Sequence, residues 1–319
     1  MRYFVTGGAG FIGSHLVDRL LEDGHDVVCY DNFSTGQREF LEKALRHPRF
    51  SLVRGDLLDL PTLTEAVRGA EFVFHLAANA DVRFGTLHPA RDLEQNTVAT
   101  FNLLAAMRAA GVSRLAFAST GSIYGEPAGF PTAEDAPFPV QTSFYGASKL
   151  AAEALIEAYC EGFGFQSYIF RFVSILGERY THGHVFDFYK QLRDHPEALY
   201  VLGNGKQRKS YLYVQDCIDA MRLAVAKAAE RVNIFNLGTA EYCEVDDSIE
   251  WICQYLGVSP QRTYSGGERG WAGDSPFIFL DCSRIRRLGW RPTLGIREAV
   301  VRTLRFLQQE PWVLDRRSP

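Results

Sequence analysis

The 319-residue sequence is poor in cysteine: Cys29, Cys160, Cys217, Cys243, Cys253 and Cys282 stand far apart, with no Cys-x-x-Cys pair. Such spacing builds neither a disulfide framework nor a zinc site, and it suits a reducing compartment. His182-x-His184 has no third ligand in view, so no metal is expected. No apolar run approaches the roughly 20 residues that cross a bilayer. There is no basic field either. Lys and Arg number 34 against 38 Asp and Glu, a formal net charge of −4, which argues against nucleic-acid or membrane partners. The short run Arg284-Ile285-Arg286-Arg287 reads as a solvated helix face. Repeats, low-complexity tracts and linkers are missing. The first residues are strand-like rather than basic and then apolar, so no signal peptide is expected and the cytoplasm is the default location. The composition, 46% hydrophobic and 23% charged, is that of a globular chain long enough for one large or two closely joined domains.

Short apolar runs alternate with helical patterns through the first half. Tyr3–Thr6, Val27–Tyr30, Phe50–Arg54, Phe72–His75 and Leu115–Ala118 read as buried parallel strands. Phe11–Glu22, Asp92–Ala110 and Ser143–Glu161 read as helices, and Gln166–Phe172 as a sixth strand. The alternation predicts an α/β doubly wound parallel sheet, the Rossmann arrangement. After Gly177 the order becomes irregular and rich in Gly, Arg and Tyr. The expectation is a dinucleotide-binding domain over 1–177, joined by a returning strand near 232–238. A smaller mixed α/β substrate lobe, discontinuous in sequence, would occupy most of 178–319.

The first strand runs into TGGAGFIGSHL, whose Gly7, Gly10 and Gly13 have GxxGxxG spacing. The first glycine permits a tight turn, the second admits a pyrophosphate to the backbone, and the third lets the helix pack closely. A glycine pattern alone is weak evidence; its place between strand and helix makes it specific. Asp31 ends the second strand, where a carboxylate accepts the adenosine ribose hydroxyls and repels a 2′-phosphate. NAD is therefore expected rather than NADP.

Tyr145 and Lys149, in YGASK, are spaced i, i+4 and so share one helix face. An ammonium near a phenol favours the phenolate, which predicts a tyrosine titrating toward neutrality and able to take a proton from a substrate hydroxyl. STGSIYG, residues 119–125, supplies hydroxyls but no carboxylate.

With these segments in hand the chain resembles the extended short-chain dehydrogenase/reductase family, in its nucleotide-sugar epimerase and dehydratase branch. The resemblance runs through TGGAGFIG, YDN at 30–32, GDLLD at 55–59, HLAA at 75–78, Asn96, STGSIYG, YGASK, SYLYVQD at 210–216 and LGWRP at 288–292. It implies Thr120, Tyr145 and Lys149 as the catalytic group. It implies cofactor contacts from Gly7, Gly10, Phe11, Ile12, Gly13, Asp31, Asn32, Ser34, Thr35, Gly36, Asp56, Leu57, Leu76, Ala77, Ala78, Asn96 and Phe172, besides Tyr145 and Lys149. Substrate contacts are expected from Thr120, Ser122, Ser174, Val185, Lys209 with Arg208 as its rival, Tyr211, Arg269 and Asp274. Dehydratases of this branch carry acidic residues just after the Thr120 position, and the related decarboxylases keep a glutamate. Gly121 and Ser122 stand there in this chain, while Glu126 matches no catalytic position.

Two further departures are Ser174, where relatives commonly have Asn, and His184, where they offer small or amide residues. Together these features imply an NAD-dependent nucleotide-sugar 4-epimerase, most simply for UDP-glucose and UDP-galactose, working through a transient 4-keto sugar. The intermediate bulk of Ile278 favours plain hexoses over N-acetylhexosamines. Alternatives are UDP-glucuronate 4-epimerisation, with Arg83, Arg179 or Thr181 meeting the carboxylate, or epimerisation at another carbon. A dehydratase and a non-catalytic cofactor-binding regulator rank below these. A homodimer is the expected assembly.

Overall fold

The apolar runs form one parallel sheet of seven strands in a computed structural model that describes residues 1–79 and 82–316, with backbone alone at 82–84. They are β1 (Arg2–Thr6), β2 (Asp26–Asp31), β3 (Phe50–Arg54), β4 (Phe72–His75), β5 (Arg114–Thr120), β6 (Gln166–Phe172) and β7 (Val232–Leu237). Their order is β7-β6-β5-β4-β1-β2-β3. Alternation along each strand feeds two cores: Val5 and Phe74 face one layer of helices, Phe4 and Val73 the other. The order reverses between β1 and β4, and at such a switch point the carboxyl ends of the strands open a crevice.

Local chemistry sets the helices that border this crevice. Helix α1 (Phe11–Glu22) starts directly after the glycine turn. The segment read as one helix from Asp92 to Ala110 is broken into a turn at Pro89–Asp92, a π turn at Leu93–Val98 and helix α2 (Ala99–Ala109). The wider π turn brings Asn96 inward, where it is buried. Helix α3 (Phe144–Phe163) is capped by Ser143, whose hydroxyl accepts from Gly146 N at 3.0 Å, and it ends at Gly164 in the left-handed region, φ 70°. Strands β2 and β5 run past the expected apolar cores, so that Asp31 and Thr120 sit at their carboxyl ends.

Beyond residue 177 the chain builds small sheets. Ser174–Leu176 pairs with Tyr211–Tyr213, and Ala198–Val201 with Gln261–Tyr264. Arg208–Lys209 lies between Cys243–Glu244 and Phe277–Ile278. Helix α4 (His184–Asp194) covers this side. In the middle of the lobe the chain returns to the first layer. Helix Val214–Lys227 reaches α1 through Arg19–Asp219, 3.1 Å apart, and β7 pairs with β6 along its whole length. All six cysteines are free and buried. Among the described residues no helix is long and apolar enough to cross a membrane, and no group of three His, Cys, Asp or Glu could hold a metal.

Candidate active site

A cavity of about 1080 Å³ runs from the carboxyl ends of the strands into the second lobe. Its cofactor half is built by the glycine turn. Gly7 has φ +68°, and a Cβ there would come within 2.6 Å of Ala77 N; a Cβ on Gly13 would land on the Gly7 carbonyl oxygen. Only glycine lets the turn, α1 and the segment after β4 approach this closely, which leaves the helix N-terminus open to phosphate. Asp31 accepts from Ala9 N at 2.9 Å and from Phe33 N at 2.8 Å, so one carboxylate ties the glycine turn to the end of β2. Burial pushes its carboxyl above the ordinary range, and the two backbone hydrogen bonds pull it back. These residues fit a dinucleotide.

Most expected cofactor residues line this cavity: Gly7, Gly10, Phe11, Ile12, Gly13, Asp31, Asn32, Ser34, Thr35, Gly36, Leu57, Leu76, Ala77, Ala78, Tyr145 and Phe172. Asp56, Asn96 and Lys149 stand behind the wall. Asp56 accepts from Asn32 Nδ2 at 2.9 Å. Asn96 accepts from Asn79 N and donates to the Ser148 hydroxyl, each at 2.9 Å. Lys149 Nζ donates to the Ala118 carbonyl at 2.8 Å and lies 4.6 Å from the centre of the Phe117 ring.

Thr120 and Tyr145 meet where the two halves join. Thr120 Oγ1 receives Ser122 N at 3.1 Å and donates to the Ser122 hydroxyl at 3.2 Å, and it is near enough to the Tyr145 hydroxyl to pull that phenol's pKa down. The electrostatics correct the expectation from sequence. Burial pushes the Tyr145 phenol up to about 12, with the charge of Asp92 adding to the rise and Thr120 opposing it. Burial likewise pushes Lys149 down to about 7, against the pull of Glu153 and Asp92. Both groups are enclosed, so desolvation disfavours both charged forms.

Gly121, the residue after Thr120, is closely packed. A Cβ there would stand 3.0 Å from Ile278 Cγ2 and 3.2 Å from the Phe172 carbonyl oxygen. The described carboxylates on the cavity wall are Asp31, Asp187, Asp194 and Asp274, and none belongs to the stretch carrying Thr120 and Ser122. Glu126 lies on the surface, paired with Arg269.

In the substrate half the cavity is lined by Ser174, Lys209, Tyr211, Asp274 and Ile278. Lys209 rather than Arg208 faces inward; the Arg208 guanidinium lies on the outer side, 3.9 Å over the Phe277 ring. Arg269 is turned to Glu126, and Val185 is packed in the core. Arg179 is committed to Asp18 at 2.7 Å. Thr181 is on the wall, and the Arg83 side chain lies outside the described residues. His184 sits between Tyr211 Oη and Ser248 Oγ, each 3.0 Å from a ring nitrogen. Burial, with the nearby Lys209 charge adding, holds it down to about 3, so it is neutral.

Reading the sequence missed Asn79, on the cavity wall, and Asp92, Ser148, Glu153 and Arg171, which stand behind it. Asp92 accepts from Asn79 Nδ2 at 2.8 Å. The signal available was weak: Glu153 continues the Tyr145–Lys149 spacing by one more i+4 step.

A family model described as the NAD dependent epimerase/dehydratase family matches residues 3–238. UDP-glucose 4-epimerase of Mycolicibacterium smegmatis is 33% identical over 316 residues, 97% of this chain and 99% of that protein. UDP-glucuronic acid decarboxylase 5 of Arabidopsis thaliana is 34% identical over 311 residues, 94% of this chain and 87% of that one. Among solved structures, UDP-glucose 4-epimerase of Thermus thermophilus in complex with NAD superposes with a TM-score of 0.85 at 33% identity, covering 97% of this chain and 99% of that one.

Proposed function

This chain belongs to the NAD-dependent epimerase/dehydratase family, and from that premise we propose that it inverts carbon 4 of a UDP-hexose, with UDP-glucose and UDP-galactose as the simplest pair. One observation carries the reading. The wall that meets the sugar offers Thr120, Ser122 and Tyr145 as hydroxyls, and no carboxylate belongs to that stretch. Elimination of water needs a general acid and base beside the sugar, whereas inversion needs a single proton acceptor at the hydroxyl being oxidised.

NAD, when bound, supplies a reversible hydride acceptor whose ring is positively charged. The chain's own residues manage the proton. Thr120 holds the substrate oxygen, and Tyr145, as its phenolate, takes the proton from that oxygen and later returns it. Burial holds the Tyr145 phenol up at about 12, so forming the phenolate needs positive charge brought close, which the cofactor ring would supply when bound. The sugar must turn over inside the pocket, so binding energy has to come from the nucleotide diphosphate end. We assign that task to Lys209, on the cavity wall and oriented by Asp274, with Tyr211 beside it.

The decarboxylase relative makes UDP-glucuronate the substrate to compare. Commitment of Arg179 to Asp18 removes one cation that could meet its carboxylate. The test is incubation of the purified protein with UDP-glucose, UDP-glucuronate and UDP-N-acetylglucosamine in turn. The reading expects UDP-galactose from the first; turnover of UDP-glucuronate alone would replace the substrate, and loss of carbon dioxide would replace the reaction. A cytoplasmic homodimer belongs to the same reading. Leu93, Phe101 and Phe144 are about half exposed, at 57%, 46% and 52%, and a second copy would cover them.

A further inference from the structure

The best-satisfied buried charges of the molecule lie outside the cavity. Glu153 on α3 and Arg171 on β6 are 1% and 2% exposed. Arg171 Nη2 lies 2.7 Å from Glu153 Oε2, and Nε lies 3.2 Å from both carboxylate oxygens. The remaining guanidinium nitrogen donates to Tyr124 Oη at 2.7 Å and to the Glu134 carbonyl at 2.8 Å. Glu153 also accepts from the Ser119 hydroxyl. Ser119 stands between Ala118, whose carbonyl receives the Lys149 ammonium, and Thr120, which is beside Tyr145. In the hydroxyl-rich stretch at the end of β5, Thr120 and Ser122 line the cavity, the Tyr124 hydroxyl meets Arg171, and Ser119 joins the two, lining the cavity while its hydroxyl meets Glu153.

Helix geometry puts Tyr145, Lys149 and Glu153 on one face, each four residues from the next. The groups around the Lys149 ammonium can be named from every side. Its own helix brings Tyr145 and Glu153, and the turn before the π segment brings Asp92. Strand β4 brings His75, held neutral by burial and by Lys149 itself. Strand β5 brings the Ala118 carbonyl and the Phe117 ring, and β6 brings Arg171, bonded to Glu153. Burial works against the ammonium, and Glu153 and Asp92 are the anions that oppose it.

We propose that Glu153 is a positioning residue for the reaction: locked by Arg171, its carboxylate anchors the end of β5 through Ser119 and stands one helical turn from Lys149 as its counter-charge. This rests on the epimerase reading for its catalytic consequence, but not for its electrostatic content. Glu153→Gln removes the anion while keeping shape. Because that change alone strands the Arg171 guanidinium in the core, the double variant Glu153→Gln/Arg171→Met is the second arm, with both charges gone.

Two measurements are made on the NAD-loaded protein. The first follows the Lys149 side chain by NMR as a function of pH. Loss of the Glu153 anion should lower its midpoint, most in Glu153→Gln, where the Arg171 charge is left uncompensated, and by less in the double variant, which removes a pair of no net charge. The second is the pH profile of kcat, whose alkaline limb should move to lower pH by a similar amount, while Glu153→Asp keeps it near the wild-type position. A purely structural role predicts the reverse for the double variant: restored folding with an unmoved Lys149 midpoint and limb. That outcome overturns the proposal. If the wild-type protein turns over no UDP-hexose, the epimerase reading fails on its own, and the Lys149 titration still decides the role of Glu153.

Discussion

Lys209 and Asp274 hold each other across the substrate half of the cavity, ammonium to carboxylate at 2.7 Å, while the Ser275 carbonyl takes a second hydrogen of the same ammonium at 2.6 Å. An ammonium has three hydrogens. Two are fixed by the protein, and one remains for an anion on the cavity side. Lys209 is the inward-facing cation of the strand pair, and we assign the substrate diphosphate to it.

Lys209→Ala should therefore raise KM for the nucleotide sugar and leave NAD content unchanged. A hydrogen bond to a charged group contributes about 1.5–3 kcal/mol, which corresponds to a rise of roughly tenfold to a hundredfold in KM. Steady-state kinetics checks this. An unchanged KM would move the diphosphate site elsewhere.

Tyr145→Phe removes the only proton-exchanging group beside Thr120 that the account assigns to the sugar. Loss of a general base typically costs about 10²–10⁴ in rate. We expect kcat to fall by that order while NAD stays bound. Thr120→Val should reduce kcat less, since it removes an orienting bond rather than the proton acceptor. Near-normal turnover by Tyr145→Phe would reject the assignment.

Asp31 gives a pH prediction with a definite sign. Its carboxylate form accepts from Ala9 N and Phe33 N, and burial raises its carboxyl above the usual range. Protonation removes the anion that organises the adenosine end, so NAD retention should weaken as pH falls, beginning above the ordinary aspartate range. Asp31→Asn should bind NAD weakly at every pH and flatten this dependence. Dialysis at stepped pH followed by cofactor absorbance measures both. Equal retention by the variant and wild type across the range would contradict the role of Asp31.

The cofactor half was legible because its chemistry is written in backbone demands. Gly7 and Gly13 are needed for close approach, and Asp31 follows an apolar strand; neither fact depends on distant parts of the chain. Tyr145 and Lys149 were legible because helix spacing alone puts them together. The substrate half was legible only in part, since neighbouring residues of a strand point to opposite sides. Register separates Arg208 from Lys209: Arg208 pairs with Phe277 and Lys209 with Ile278, and of these two cations only Lys209 is on the cavity wall. Arg269 and Val185 stand off that wall, one drawn to Glu126 and the other into the core. The expected neutral-range tyrosine failed because enclosure, which no local pattern reports, acts on both members of the pair. Asp92 was hidden because it falls at the start of a segment read as one ordinary helix, where a short turn ends just before the π turn.

The central claim is that this site moves one proton and one hydride at a single carbon and eliminates nothing. Incubation with UDP-glucose in deuterated water, followed by proton NMR, tests it most directly. The account predicts UDP-galactose with no solvent deuterium on any ring carbon. Deuterium at carbon 5 or 6, or a product lacking one molecule of water, would contradict it.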